Sequence, residues 1–230
     1  LHHYGSDVFI WIIRRPVILN LKLRRTLNME WQNRNILIIG MARSGISSAK
    51  LCSRLGAKVK IQDMKKREEL IPLMEEEINL LESMGIELIL GEDPEPIIES
   101  QDLIVLSPGV PTDLEFLQKA KQMNIPVWSE IELGYVLCPC PIIAITGTNG
   151  KTTTTTLVGE IMKAYHPDTY VVGNIGTPFT DKVEQMKQQD FVVAEISSFQ
   201  LETIHTFKPK VSAILNITPD HLNRHKTFEN

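Results

Sequence analysis

The sequence predicts an α/β protein made of two parallel-sheet units. Short apolar runs alternate with helical patterns from Asn35 onward, which is typical of strands joined by crossover helices. Two of the apolar runs end in glycine-containing turns. The alternation pauses at Pro139 and Pro141, which mark a linker, and then starts again. We therefore expect one parallel-sheet domain over residues 29–130 and a second α/β domain over residues 131–230.

Strands and helices alternate throughout the first unit. The strands are expected at Ile36–Ile39, Val59–Gln62, Glu87–Leu90, Leu103–Leu106 and around Val127. The helices are expected from the turn after the first strand through Leu55, and at Arg67–Met84, Asp113–Met123 and Glu130–Leu137. Glycine directly follows the first two helices, at Gly56 and Gly85, and glycine is a common helix stop.

The second unit repeats this alternation with fewer elements. Its strands are expected at Ile142–Ile145, Val171–Val172, Phe191–Ala194 and Val211–Leu215, and its long helix at about Lys151–Tyr165. That helix opens with a run of threonines, which are mediocre helix formers. We expect Thr154 to Thr156 to pack against the sheet. No stop signal follows the last pattern, so we expect the chain to be a fragment.

The composition is that of an ordinary globular protein. Apolar residues make up 43% and charged residues 23% of the 230 residues. The net charge of −4 argues against a general nucleic-acid binder, which needs a basic face. The cysteines Cys52, Cys138 and Cys140 are too few and too scattered for a disulfide framework. We therefore expect reduced thiols and a cytoplasmic location.

Residues 1–28 differ from the rest of the chain. The apolar stretch Val8–Ile13 is too short to span a membrane. Basic residues follow it, which is the reverse of the order in a signal peptide. We interpret residues 1–28 as a non-native leader, translated upstream sequence ahead of a natural start at Met29. The alternative is an amphipathic anchor at a membrane surface.

A glycine-rich loop with a lysine joins the first strand of the second unit to its helix. Its residues are Gly147, Thr148, Asn149, Gly150, Lys151 and Thr152. A loop that follows a buried strand and opens a helix offers free N–H groups and the positive helix end to an anion. The P-loop pattern has a first glycine that would fall at Ile145, so only its second half is present. The loop favours phosphate binding; the alternative is a tight turn with a surface lysine.

Residues suited to a metal ion follow two further strands of this unit. Glu195 ends one strand and His221 comes shortly after the next, while Thr152 brings a hydroxyl from the loop. Ligands of open α/β sheets bind at the carboxyl ends of the strands, and hard oxygen ligands suit Mg²⁺. Taken alone, Glu195 could cap a turn and His221 could be structural. His205 and His225 have no comparable setting and are assigned no role.

The first unit carries a degenerate dinucleotide-binding turn. Gly40, Ala42 and Gly45 occupy the positions of its three glycines, and Asp63 ends the second strand. Ala42 in place of the middle glycine hinders the close approach of a pyrophosphate. The turn is compatible with NAD and also with another nucleotide diphosphate, with Asp63 on the ribose or the base.

Together these stretches resemble the Mur ligases, ATP-dependent amide ligases of peptidoglycan precursor synthesis. The short loop without the first glycine is similar to the form of that superfamily, which folylpolyglutamate synthases share. The stretches lie in order between Met29 and Asn230: G-M-A-R-S-G (40–45), S-P-G-V (107–110), G-T-N-G-K-T-T (147–153), G-N-I-G (173–176), E-I-S-S-F-Q-L (195–201) and D-H (220–221). The stretch 195–201 is the most discriminating and is similar to the members that attach D-glutamate.

The resemblance implies a three-domain enzyme. This chain would hold its Rossmann-like domain for the UDP substrate (29–130) and a truncated ATP-binding domain of the P-loop type (131–230). The C-terminal domain would be absent. ATP would contact Gly147, Thr148, Asn149, Gly150, Lys151, Thr152 and Thr153. Lys151, Glu195 and His221 would be catalytic, and Thr152, Glu195 and His221 would hold Mg²⁺. The UDP substrate would contact Arg43, Ser44, Asp63, Gly109 and Asn174.

The implied reaction joins D-glutamate to UDP-N-acetylmuramoyl-L-alanine through an acyl phosphate formed with ATP. The expected partners are these small molecules and Mg²⁺, with no nucleic acid and no membrane, and we expect a monomer. We expect the 230-residue chain to lack ligase activity by itself. Three alternatives stay open: an NAD-dependent oxidoreductase, a non-catalytic nucleotide-binding fragment, and a ligase of the same superfamily that attaches a different amino acid.

Overall fold

The computed structural model describes residues 11–14 and 30–229. In the first of these ranges, Trp11–Arg14 forms strand β1. The rest of the predicted leader, the proposed start at Met29 and the last residue, Asn230, lie outside the described residues.

The first unit is a sheet whose strands all run parallel. The strands are β2 (Asn35–Ile39), β3 (Lys58–Asp63), β4 (Glu87–Leu90), β5 (Leu103–Leu106) and β6 (Val127–Ser129). Their order in the sheet is β4-β3-β2-β5-β6. β2 is central, and Ile36, Leu37 and Ile38 are fully buried because apolar clusters cover both faces of the strand.

Helices of the first unit connect these strands. They are α1 (Arg43–Arg54), α2 (Arg67–Ser83), α3 (Glu115–Gln122) and α4 (Glu130–Leu137), with a short 3₁₀ helix at Glu95–Ser100. α2 bends at Met74, whose φ of −153° is not helical, two residues after Pro72. Proline cannot donate the helical hydrogen bond and its ring crowds the preceding turn, which explains the kink.

The second unit is a sheet in the order β1-β10-β7-β9-β8. Its parallel strands are β7 (Ile142–Thr146), β8 (Thr169–Gly173), β9 (Phe191–Glu195) and β10 (Val211–Ile214), and β1 runs antiparallel beside β10. The long helix α5 (Lys151–Tyr165) follows β7. Short elements complete the unit: α6 (Phe179–Lys182), a 3₁₀ turn at Val183–Gln185, α7 (Ser198–Leu201) and α8 (Leu222–His225).

This architecture confirms the predicted α/β class. The predicted strands and long helices are present within two residues of their expected ends. In the threonine run, Thr155 is fully buried but Thr156 is exposed, so the expected packing was wrong for Thr156. The three cysteines are buried, and none of them forms a disulfide within the described residues. Among the described residues, no helix is both long and apolar enough to cross a membrane.

Two buried glutamates of α4 fasten the first unit to the second. Glu130 Oε1 accepts hydrogen bonds from the backbone N–H and the hydroxyl of Thr180 in α6, at 2.7 and 2.9 Å. The Thr180 hydroxyl also lies 2.9 Å from the Ser47 hydroxyl of α1. The Glu132 carboxylate accepts the backbone N–H groups of residues 205–207. A buried carboxylate is stable only when such partners replace water, so these bonds fix where the two units meet.

The Glu130 carboxyl makes the stability of this junction depend on pH. Burial raises its pKa from 4.5 to about 7, and Oε2 accepts no hydrogen bond among the described residues. The folded state therefore holds the proton more tightly than the unfolded state. The contribution of this group to stability is complete below the unfolded pKa and is lost as the pH rises through the folded value.

We predict that deprotonation of Glu130 lowers the free energy of unfolding by about 1 kcal/mol as the pH rises from 6 to 8. Urea unfolding of the chain at several pH values measures the change. Glu130→Gln keeps an oxygen acceptor for Thr180 and removes the titrating proton, so this part of the pH dependence should disappear. The same pH dependence in the variant and the parent would contradict the assignment.

Candidate active site

The loop between β7 and α5 forms a backbone cradle. Gly147 and Gly150 have φ angles of +140° and +81°, a region that residues with a Cβ rarely adopt. A Cβ on Gly147 would lie 3.0 Å from the carbonyl oxygen of Asn216. α5 begins directly after Gly150. Because the first N–H groups of a helix have no partner within it, this helix end is available to an anion, whereas the N–H groups of Thr148 and Asn149 in the loop are bonded to Asn216.

Two residues that follow β10 hold the loop in shape. Asn216 accepts the N–H of Asn149 with Oδ1 and donates to the Asn149 carbonyl with Nδ2, both at 2.9 Å. Thr148 Oγ1 accepts the N–H of Thr218 at 2.9 Å and donates to its carbonyl at 3.1 Å. β10 pairs with β7, which brings these residues beside the loop. The sequence prediction missed both, although the N-I-T-P segment directly after a strand end was a signal.

Lys151, the first residue of α5, puts a cation on the loop. Its Nζ donates to the carbonyl oxygens of Gly147 and Thr148, at 2.7 and 3.0 Å. The ammonium group thus lies over the same backbone that forms the cradle. Thr153, in the same first turn of the helix, is exposed. A cation beside free backbone N–H groups is well suited to a phosphate chain.

Glu195, at the end of β9, is the buried carboxylate of the site. Glu195 is only 2% exposed. Oε2 accepts a hydrogen bond from the Thr152 hydroxyl at 2.9 Å, and Oε1 accepts one from Asn174 Nδ2 at 2.8 Å. The carboxylate therefore joins the cradle to the turn that follows β8. A carboxylate and a hydroxyl side by side are hard oxygen donors, the set that Mg²⁺ binds.

Gly173 allows β8 to approach the end of β9. Its φ is +106°, and a Cβ there would lie 2.3 Å from the Glu195 carbonyl oxygen. The next residue, Asn174, donates its N–H to that carbonyl at 2.9 Å. This backbone bond aligns the Asn174 side chain with the Glu195 carboxylate. The glycine is therefore required by a close approach as well as by its backbone angle.

A cavity of about 390 Å³ opens beside these groups. It is lined by Lys151, Asn174 and His221, three of the predicted site residues, and also by Phe199 and His225. The His221 ring lies 4.9 Å from the Phe199 ring, centroid to centroid. His225 Nε2 lies 2.9 Å from the Ser198 hydroxyl. The sequence prediction assigned no role to His225, which α8 and its N-cap His221 bring to the same cavity.

Four predicted UDP-binding residues lie at the carboxyl ends of the first sheet's strands, namely Arg43, Ser44, Asp63 and Gly109, whereas Asn174 follows β8 in the second unit. Asp63 accepts the backbone N–H of Met41 with Oδ2 at 2.8 Å and that of Lys65 with Oδ1 at 3.0 Å. The carboxylate thus shapes the turn between β2 and α1, and Ser44 lies in the first turn of α1 directly after it. Arg43 reaches the second unit and donates to the Gly176 carbonyl at 3.1 Å. These contacts bring the first turn against the G-N-I-G turn that carries Asn174.

Gly109 and Arg224 mark a second link between the units. A Cβ on Gly109 would meet no atom within 4 Å, so this turn faces open space. Its neighbour Pro108 accepts a hydrogen bond from the Arg224 guanidinium at 3.0 Å. The same guanidinium is paired with Glu202 at 2.8 Å and lies 4.6 Å from the centroid of the Phe199 ring. Arg224 therefore ties the first unit to the wall of the cavity.

Comparison with protein families gives a match for each unit. Residues 34–129 match the Mur ligase MurD-like N-terminal domain, and residues 145–230 match the Mur ligase middle domain. The two matches fall on the two sheets described above and together cover most of the chain. The chain belongs to the Mur ligase family. The predicted resemblance is confirmed.

Several curated relatives of this Mur ligase chain carry the same name. A "UDP-N-acetylmuramoylalanine--D-glutamate ligase" from Alkaliphilus metalliredigens is 48% identical over 204 residues, covering 88% of this chain and 44% of the relative. One of the same name from Alkaliphilus oremlandii is 50% identical over 204 residues, with the same two shares. The chain thus spans less than half the length of these relatives. A solved pseudomurein peptide ligase from Methanothermus fervidus aligns with 86% of this chain and 40% of its own, at 24% identity and a TM-score of 0.41.

We predict that Gly173→Ala destabilises this Mur ligase chain, because its methyl group would meet the Glu195 carbonyl. Gly176→Ala is the matched control: Gly176 also has a positive φ, +69°, but a Cβ there meets nothing within 4 Å. Both variants carry the backbone strain of about 1–2 kcal/mol, and overpacking adds about 1–3 kcal/mol to Gly173→Ala alone. Urea unfolding measures the difference. Equal free energies of unfolding for the two variants would show that the close approach does not constrain the site.

Proposed function

We propose that this chain is part of a ligase that adds D-glutamate to UDP-N-acetylmuramoyl-L-alanine with ATP. The observation that carries the proposal is the buried Glu195 carboxylate, bonded to the hydroxyl of Thr152 in the phosphate-type loop and to Asn174. Support comes from relatives about half identical across both units, whose name states this reaction. The chain spans 44% of their length, so the proposal concerns the whole protein.

The loop residues and Lys151 are the proposed ATP site. The backbone of Gly147, Thr148, Asn149 and Gly150 would cradle the phosphates, and the first turn of α5, with Thr152 and Thr153, would close the cradle. Lys151 Nζ already lies within hydrogen-bond distance of the loop carbonyls. A small shift of this flexible side chain would exchange those acceptors for phosphate oxygens, where its charge offsets the charge of the β- and γ-phosphates.

Glu195, Thr152 and His221 are the proposed holders of Mg²⁺. The first two fit the ion, because the buried Glu195 carboxylate and the hydroxyl of the exposed Thr152 present neighbouring oxygens, and an ion would replace the hydrogen bond that now joins them. His221 lines the cavity beside the loop, together with Lys151 and Asn174, and offers a ring nitrogen. When bound, Mg²⁺ supplies charge neutralisation for the transferring phosphoryl group. Asn174 keeps the Glu195 carboxylate oriented through its amide.

The proposed UDP-substrate site lies where the carboxyl edges of the two sheets face each other. Arg43 provides a guanidinium next to the G-N-I-G turn, and Asn174 provides an amide. Asp63, Ser44 and Gly109 would line the nucleotide end. The backbone contacts of Asp63 suggest that it acts there chiefly by shaping the turn. A substrate held in this way would extend from the first unit towards the loop of the second.

The proposed reaction proceeds in two steps within this frame. The L-alanyl carboxylate attacks the γ-phosphorus of ATP, the bond from that phosphorus to the β–γ bridging oxygen breaks, and ADP leaves. The amine of D-glutamate then attacks the acyl carbon, loses a proton and expels inorganic phosphate. A carboxylate is a poor electrophile, so phosphorylation supplies the leaving group. The chain's part is positioning and charge neutralisation, by the loop, Lys151 and Arg43.

We predict that Lys151→Ala weakens the binding of a non-hydrolysable ATP analogue with Mg²⁺ at least about tenfold. The physical reason is the loss of a charge-assisted hydrogen bond to phosphate. Isothermal titration calorimetry of the chain measures the affinity. Lys163→Ala is the matched control, because Lys163 lies near the other end of α5 and pairs with Glu160 on the exposed face. Equal affinities for the two variants would refute the loop assignment.

We predict that the chain prefers UDP-N-acetylmuramoyl-L-alanine to NADH and to the product that already carries D-glutamate. Calorimetric titration with each compound gives the ranking, and Arg43→Ala should weaken binding of the UDP compound. Preference for the glutamate-bearing compound would favour a ligase for a later amino acid. Preference for NADH would favour the oxidoreductase alternative.

A further inference from the structure

A second polar cluster lies at the amino ends of strands β8 and β9, on the opposite side of the sheet from the proposed ATP loop. His166 directly follows α5, Asp168 directly precedes β8, and Asp190 directly precedes β9. One possible ligand atom of each residue lies within 4.8 Å of those of the other two. Among the described residues, these three form the group of His, Cys, Asp and Glu side chains that is close enough to hold a metal ion. None of them belongs to the proposed ligase site.

The Asp190 carboxylate shows that this cluster is incomplete without a further partner. Asp190 is only 1% exposed, yet within the described part of the chain its Oδ1 accepts no hydrogen bond. Its Oδ2 accepts the backbone N–H of Lys187 at 2.7 Å, which fixes the carboxylate in place. His166 Nδ1 is likewise enclosed and has no hydrogen-bond partner in that part of the chain. An unpartnered carboxylate oxygen away from water is costly, unless a cation faces it.

We propose that His166, Asp168 and Asp190 bind a divalent transition-metal cation of the Zn²⁺ type. One imidazole nitrogen and two carboxylate oxygens are a mixed donor set that suits such an ion better than Mg²⁺ or Ca²⁺, which prefer oxygen alone. Asp168 is exposed, so water completes the coordination shell from that side. Bonds to the buried oxygen and nitrogen replace the hydrogen bonds that Asp190 and His166 lack.

The bound cation braces three elements that the active site depends on. It connects the end of α5, whose first turn carries Lys151, with the beginnings of β8 and β9, whose far ends carry Asn174 and Glu195. A cross-link at this edge limits the movement of these elements relative to one another. Because the cation binds the folded state, it raises the melting temperature of the chain. The proposal rests on these three residues and does not depend on the ligase assignment.

Zinc titration of the chain, after removal of metal with a chelator, tests the proposal. The experiment is done in the presence of excess Mg²⁺, and Co²⁺ serves as a spectroscopic probe of nitrogen and oxygen ligation. We expect one high-affinity equivalent of Zn²⁺ and a rise in melting temperature. Asp168→Asn is the main variant, because its side chain is exposed and its loss leaves the fold intact. It should weaken Zn²⁺ binding at least tenfold and abolish the thermal shift.

Asp181→Asn, an exposed aspartate of α6, is the matched control and should bind Zn²⁺ as the parent does. His166→Gln should lose the Co²⁺ spectrum that reports an imidazole ligand. Glu195→Gln distinguishes zinc binding at this cluster from zinc binding at the proposed ligase site. It should leave the zinc affinity unchanged. Equal zinc affinity and equal thermal shift for Asp168→Asn and Asp181→Asn would overturn the proposal and show adventitious binding only. Loss of zinc binding in Glu195→Gln but not in Asp168→Asn would place the ion in the ligase site and overturn it as well.

Discussion

The buried carboxylate of Glu195 is the constraint around which the second unit is arranged. A buried charge needs hydrogen-bond partners. Those of Glu195 come from two different segments: the Thr152 hydroxyl lies after β7 and the Asn174 amide lies after β8. Glu195 itself ends β9, which pairs with both of those strands. These two partner side chains therefore satisfy one buried charge, and the same bonds place the loop, the carboxylate and the amide at one end of the strands. Parallel strand direction makes this possible, because all three strands end on the same side of the sheet.

The position of the first unit follows from polar contacts with the second. Glu130 and Glu132 of α4 bind α6 and the backbone of residues 205–207, while Arg43 and Arg224 bridge the two carboxyl edges. Each of these bonds joins an ionisable side chain to backbone or hydroxyl groups, so its geometry is directional in a way that apolar packing is not. The apolar contacts also cross the junction, since Leu51 of α1 lies in the same cluster as the core of the second unit. The two groups of strand ends that are proposed to bind nucleotides are thereby held facing each other.

The sequence predicted most of this fold, for a physical reason. Buried parallel strands are continuous apolar runs bounded by glycine and proline, and that signal is local. The short helices α6, α7 and α8 have one turn each and carry no measurable periodicity, so they could not be predicted. The positions of Glu195, at the end of β9, and of Lys151, at the start of the helix after β7, could be predicted, because the end of a parallel strand identifies the side of the sheet. Arg224 was not, since its partners Pro108 and Glu202 are far from it in the chain and only the folded structure brings them together.

The residue at position 145 explains why the loop departs from the usual P-loop pattern. Ile145 lies inside β7, is 1% exposed, and packs with Val193 and Leu215 in the apolar cluster between the sheet and α5. A glycine there would remove a side chain from this core without providing a turn, because the strand continues to Thr146. The turn begins instead at Gly147. Its φ of +140° and its close approach to Asn216 provide the glycine turn that an earlier glycine provides in a longer loop. The cradle is therefore shorter. It is completed by Asn216 and Thr218 from the segment after β10, so its shape depends on contacts outside the loop itself.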